Sequence, residues 1–159
     1  MIPPELQPTE NDLTALNPFD LARNGDTKSL LSLINDGLDV NVQDHSGYSI
    51  LMLASYNGRL ETTQALLDLG AEADLRNSRG QTPLGGACYK GNIEIVKLLV
   101  EFGADVNANN GFGFTPLALA KMGGKKELST YLISKGARST ITSSVASIPA
   151  QLQHMIRRR

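Results

Sequence analysis

The sequence predicts an all-α solenoid of stacked repeats, on three observations. Glycines recur at Gly25, Gly58, Gly91 and Gly124, at a constant interval of 33 residues. A second series, Gly37, Gly70, Gly103 and Gly136, keeps the same interval. Between these glycines lie short apolar stripes at helical spacing, each too short to bury its apolar side alone. A fixed period of this length means supersecondary units that complete their core against their neighbours.

The units fall at about 15–43, 44–76, 77–109 and 110–138. The first begins at Asn17-Pro18, a helix cap followed by a proline whose missing N–H costs nothing there. It continues as "RNGDTKSLLSLINDGLDVNVQ". The second is less regular at "SILMLAS" (49–55) and regular at "LLDLGAEAD" (66–74). The third is the clearest. Thr82 and Pro83 open a helix in which Leu84, Ala87 and Cys88 share a face, and Gly91 allows the tight turn. Ile93, Val96, Leu99 and Val100 form the stripe of a second helix, and Gly103 stops it. "ADVNANNGFG" then reads as a hairpin-like loop rich in Asn and Gly. The fourth unit repeats Thr115-Pro116-Leu117, Ala120 and Gly124, with Lys126 and Ser129 where the third has Ile93 and Val96. That substitution suits an end unit with one flank in water, which leaves two internal repeats between two caps. Residues 1–14 are an N-terminal extension. Residues 139–159 read as a Ser/Thr-rich linker and a short basic amphipathic helix, with Ile148, Leu152, Met155 and Ile156 on one stripe before three arginines. That tail suits a cap over the last repeat or a partner-binding helix.

Composition excludes several function classes. With 41% hydrophobic and 19% charged residues the chain is expected to be globular. No apolar run is long enough to span a membrane, and the first residues lack the basic flank and apolar core of a secretory signal. Cys88 is the single cysteine, so no intrachain disulfide forms, and a cytoplasmic location is expected. Residues 1–120 carry 7 Lys/Arg against 15 Asp/Glu, and residues 121–159 carry 8 against 1. This asymmetry suits a solvated end cap or a basic end that orients an approaching partner. The acidic repeat body argues against nucleic acid. The two histidines, His45 and His154, make no metal-ligand pair. "GGKK" (123–126) and "GFGF" (111–114) lack the strand and helix that make a phosphate loop. Cys88 sits in a small apolar slot and reads as inert. No enzyme activity, and no metal, is expected.

Thr82-Pro83-Leu84, Ala87, Gly91, "IVKLLV" (95–100) and "GADVNA" (103–108) together resemble the ankyrin repeat, over roughly residues 15–138. The histidine that this family usually places after Thr-Pro-Leu is absent, and Met52, Gly85 and Ala118 stand there. The resemblance implies a monomeric protein-binding module, an adaptor, inhibitor or stabiliser, whose concave face carries the contacts. Carried onto this chain residue by residue, the implied partner-binding positions include Arg23 in the first unit and His45, Tyr48, Tyr56 and Asn57 in the second. The third contributes Arg79, Gln81, Tyr89 and Lys90, and the fourth Phe112, Phe114 and Met122. Five of the eight aromatics (Tyr48, Tyr56, Tyr89, Phe112, Phe114) fall on this face, the residue type that dominates binding hot spots. A packing role is the alternative, with Tyr56 and Tyr89 stacked one repeat apart and Phe112 or Phe114 tucked under the hairpin. The chain also looks like small bacterial ankyrin proteins, some of which accompany catalases. That likeness implies a second function, haem or small-molecule binding with Tyr56 or Tyr89 as ligand; otherwise no cofactor is expected.

Overall fold

The computed structural model describes residues 16–138, and within them eight helices follow one another in pairs. They are α1 (Pro18–Asn24) and α2 (Thr27–Asn35), α3 (Ile50–Tyr56) and α4 (Leu60–Asp68), α5 (Pro83–Lys90) and α6 (Ile93–Glu101), then α7 (Pro116–Met122) and α8 (Lys126–Ser134). The expectations for residues 1–14 and 139–159 lie outside the described residues. Among the described residues the only pairing of extended backbone is an isolated antiparallel bridge between Gln43 and Ser49. No helix among them is long and apolar enough to cross a membrane.

Each first helix starts at a side-chain cap. Asn17, Ser49, Thr82 and Thr115 accept from the backbone N–H of Phe19, Met52, Gly85 and Ala118, which satisfies a donor left free at each helix start. Gly91 ends α5 at φ 82°, in the left-handed region, so that α6 can turn back against it. No helix exceeds nine residues, a length at which helix formation in water is marginal. Stability therefore rests on stacking. The first helices stack α1 on α3 on α5 on α7, α2, α4 and α6 follow in the same order as an outer layer, and α8 packs on α7.

The core runs between the layers through Leu30, Ile50, Leu51, Leu66, Leu84, Ile95, Leu99, Leu117 and Leu132, all fully buried. Ala54, Ala87 and Ala120 occupy one register position and are completely buried, which lets successive first helices approach closely. On α6, Val96 and Leu99 are buried as the stripe predicts, while Ile93 and Val100 are partly buried. Ile95 and Leu98 are buried as well, because α6 packs on α5 and also on α4. The apolar surface is therefore wider than one stripe.

Polar side chains tie neighbouring hairpins together at the repeat interval. Gln43 Nε2 donates to the carbonyl of Arg76 at 2.9 Å, and Arg76 Nη1 in turn donates to the carbonyl of Asn109. Asn41, Asp74 and Asn107 accept from the backbone N–H of Glu72, Asp105 and Arg138 in the next unit. These bonds fix the register of one hairpin on the next, and so fix the shape of the face the hairpins share.

Candidate functional site

The first helices and hairpin tips of the units enclose a groove of about 620 Å³. The repeat register explains its walls. Arg23, Tyr56, Tyr89 and Met122 are the same position in successive units, two residues before each inter-helix glycine. Tyr48, Gln81 and Phe114 form a second series at the hairpins, and Arg79 and Phe112 belong to a third. Nine of the twelve residues predicted for the site line this groove: Arg23, Tyr48, Tyr56, Asn57, Arg79, Gln81, Tyr89, Phe112 and Phe114.

The groove is deep because α5 carries Gly85 and Gly86 where α3 has Met52 and Leu53 and α7 has Ala118 and Leu119. Met52, Leu53 and Leu119 remain as apolar flanks. The ring of Tyr56 lies against Gly86, close enough that a Cβ there would stand 3.2 Å from its Cδ2. Above the same ring the Lys90 ammonium sits 4.7 Å from the centroid, a cation–π contact. Two glycines inside an eight-residue helix cost roughly 1 kcal/mol each in helix propensity. At Gly86 the missing side chain lets the Tyr56 ring approach α5.

Gly85 has a different use. The side chain of Asn110, from the next hairpin, occupies the space where a side chain would be: a Cβ would stand 1.9 Å from Asn110 Oδ1. That oxygen accepts from both the N–H of Thr82 (3.0 Å) and its hydroxyl (2.7 Å), and the pair is buried. Asn110 thus makes a cross-repeat bond in the space beside Gly85, the position at which the family usually has a histidine. The equivalent residues Asp44 and Asn77 instead accept from the backbone of their own hairpin tips. With Asn110 turned inward, the fourth tip loses that support. Gly111, Phe112 and Gly113 all take positive φ (81°, 51° and 79°), and Asn109 accepts from the Gly113 N–H instead. A left-handed phenylalanine is a costly conformation, and it leaves the Phe112 ring 55% exposed at the groove.

The predicted residues do not all play one part. Tyr56 and Tyr89 are 39% and 51% exposed, so neither ring is enclosed. Phe114 lines the groove but is only 8% exposed, which agrees with the packing alternative for that ring. Asn57 Nδ2 donates to the carbonyl of Leu53 and Gln81 Oε1 accepts from Asn77, so both amides are partly committed to local structure. His45 lies outside the groove, lining a separate depression with Arg23, Phe19 and Asp44. Lys90 reaches the site through Tyr56, and exposed Met122 stands on α7 outside the lining. Sequence reasoning missed Gly86 and Asn110. The signal for the first was the pair of glycines inside a helix that Thr82 and Pro83 already begin.

Among the described residues, two arginines and no carboxylate line the groove. Arg23 pairs with Asp20 at 2.7 Å, whereas Arg79 forms no ion pair with any described residue. On the buried side of α5, burial pushes the Cys88 thiol up to about 12, which keeps it protonated and unreactive. Among the described residues no group of three His, Cys, Asp or Glu side chains is placed to hold a metal ion.

Comparison with known proteins agrees with this architecture. The family described as ankyrin repeats in three copies matches residues 19–110 and again 87–144. An ankyrin repeat protein of Pseudomonas aeruginosa is 50% identical over 44 residues, which is 28% of this chain and 26% of that protein. The match therefore spans about a quarter of the relative's length.

Proposed function

The chain belongs to the ankyrin repeat family, and from that premise we propose that it is a non-enzymatic module that binds a partner protein in the groove. Ankyrin repeats are in general protein–protein interaction modules, and the observation that supports this use here is the groove itself. Tyr56, Tyr89 and Phe112 stand exposed around an apolar floor, with Arg79 at its edge. Large rings bury much area at little entropic cost, which is why aromatic and arginine side chains dominate hot spots. As an adaptor, inhibitor or stabiliser the protein would act by occupying its partner's surface.

The test compares wild type with Tyr56→Ala and Tyr89→Ala in affinity capture from the native lysate, followed by titration of the captured protein. Each variant is expected to lose roughly 2 kcal/mol or more of binding, the hot-spot range. Since both rings are exposed, folding stability should change by less than about 1 kcal/mol. Stable variants that bind as tightly as wild type would remove the groove from consideration. A hemin titration on the same proteins separates the small-molecule alternative: a Soret band shifted by wild type and lost in a tyrosine variant would replace the protein-partner reading.

A further inference from the structure

We propose, on the reading that the groove takes a partner protein, that its occupant is an acidic extended segment of that partner. A bulky apolar side chain fills the hollow over Gly86, and a carboxylate near it pairs with Arg79. The aromatic rings alone do not decide the sign of the occupant. An enclosure such as Tyr48, Tyr56, Tyr89 and Phe112 also suits a cationic ligand, because ring faces attract ammonium groups. In this groove that use is already taken. The Lys90 ammonium lies 4.7 Å from the centroid of the Tyr56 ring, so a second cation there would meet a like charge. Among the described residues no carboxylate lines the groove to offset it. Arg23 is paired with Asp20 and adds nothing to the balance. Arg79 and Lys90 are exposed, and neither forms an ion pair with a described residue. The charge that complements this site is negative, and a guanidinium holds a carboxylate through two parallel hydrogen bonds.

The apolar part of the occupant is set by α5. At Gly86 the helix carries no side chain, and Met52, Leu53 and Leu119 flank the space. A flat surface does not reach such a floor, whereas a Leu, Ile, Met or Phe side chain projecting from a segment does. Arg79 stands at the hairpin tip ahead of α5, on a backbone held from two sides. Its N–H donates to Asn77 Oδ1 at 3.0 Å, and Gly111 of the next tip packs so closely that a Cβ there would stand 2.6 Å from its carbonyl oxygen. The guanidinium therefore works from a fixed base.

The spacing of the two subsites suits extended chain. Gly86 lies one helical turn beyond the cap Thr82, about 6 Å along the axis. Side chains two positions apart on an extended chain point the same way and stand about 7 Å apart. An acidic residue two positions from an apolar one thus meets the tip while its neighbour enters the hollow.

The probe is a phage-displayed library of random peptides, selected on the full chain and separately on the full chain carrying Arg79→Glu. Arg79 is exposed, so the variant should keep its fold, which circular dichroism checks. Peptides selected on wild type are expected to carry Asp or Glu two positions from Leu, Ile, Met or Phe, and those selected on Arg79→Glu to lack that carboxylate. A synthetic peptide of the enriched sequence should bind Arg79→Glu at least about tenfold less tightly than wild type, since like charges at a contact are strongly disfavoured. Changing its carboxylate to the amide should make the two proteins bind it alike, and raised salt should weaken only the acidic form. Groove-binding peptides are those that lose affinity for Tyr89→Ala. If these are basic, show no acidic preference, or bind Arg79→Glu as tightly as wild type, the proposal is overturned and the protein-partner reading stands. A selection that yields no groove-binding peptide also overturns it, because the occupant is then not a segment. Peptides that bind Tyr56→Ala and Tyr89→Ala as tightly as wild type would count against the groove itself, and both readings would fall together.

Discussion

Gly85 and Gly86 are neighbours in one helix, yet the same substitution should act on them in opposite directions. At Gly85 an added Cβ would stand 1.9 Å from Asn110 Oδ1 and 2.3 Å from its Cγ. Asn110 would have to move by more than an ångström, breaking its bonds to the Thr82 N–H and hydroxyl. Losing two hydrogen bonds costs about 1 kcal/mol each, and leaving buried polar groups without partners adds about 1–3 kcal/mol. Against this, alanine improves helix propensity by about 1 kcal/mol. The net expectation for Gly85→Ala is a loss of about 2–4 kcal/mol. At Gly86 the contact is 3.2 Å to the edge of an exposed tyrosine, which is free to shift by a few tenths of an ångström. Gly86→Ala should therefore leave stability unchanged or raise it by up to about 1 kcal/mol, while its methyl fills the groove and weakens binding. Urea unfolding followed by helical circular dichroism gives the stabilities. Adding Asn110→Ala to Gly85→Ala removes the clashing side chain, so the double variant should lose much less than the sum of the singles. Additive losses, or a Gly85→Ala protein as stable as wild type, would refute the account of Asn110 as the replacement for a cross-repeat side chain.

Leu99 is fully buried between the helix layers, so Leu99→Ala should cost on the order of 2–5 kcal/mol in the same urea assay. An unchanged midpoint would mean the register of α6 is misread. Cys88 predicts a pH dependence whose sign follows from its raised thiol. The folded chain holds the proton up to about 12, whereas the unfolded thiol releases it near its ordinary value of 9.0. The unfolded state therefore gains above pH 9, and this contribution to stability is present below 9 and declines as pH rises toward 12. Cys88→Ala should show a shallower decline across that window. Parallel curves for the two proteins would assign the alkaline loss to other groups.

How much of this was legible in the sequence depended on whether a residue's role repeats. The period, the capping residues Thr82 and Thr115 and the glycine turns recur at the 33-residue interval, so each unit supports the reading of the others. The groove's rim was legible for the same reason: Tyr56 and Tyr89 share a register position, and the helix geometry that exposes one exposes the other. What broke the period was not legible. Phe114 shares a register position with Tyr48 and Gln81 but is buried where they are half-buried, and the tip beside it is altered. The tip is altered because Asn110, unlike Asp44 and Asn77, turns inward, and it has room to do so only because a residue 25 positions earlier is Gly85. Periodicity averages over units and cannot show a departure that depends on two of them at once. The site is built from that departure: the glycine pair that hollows α5 and the inward Asn110 that leaves Phe112 exposed lie on one physical chain of contacts. A repeat fold fixes a concave face, and the residues that break the repeat are what give that face a particular shape.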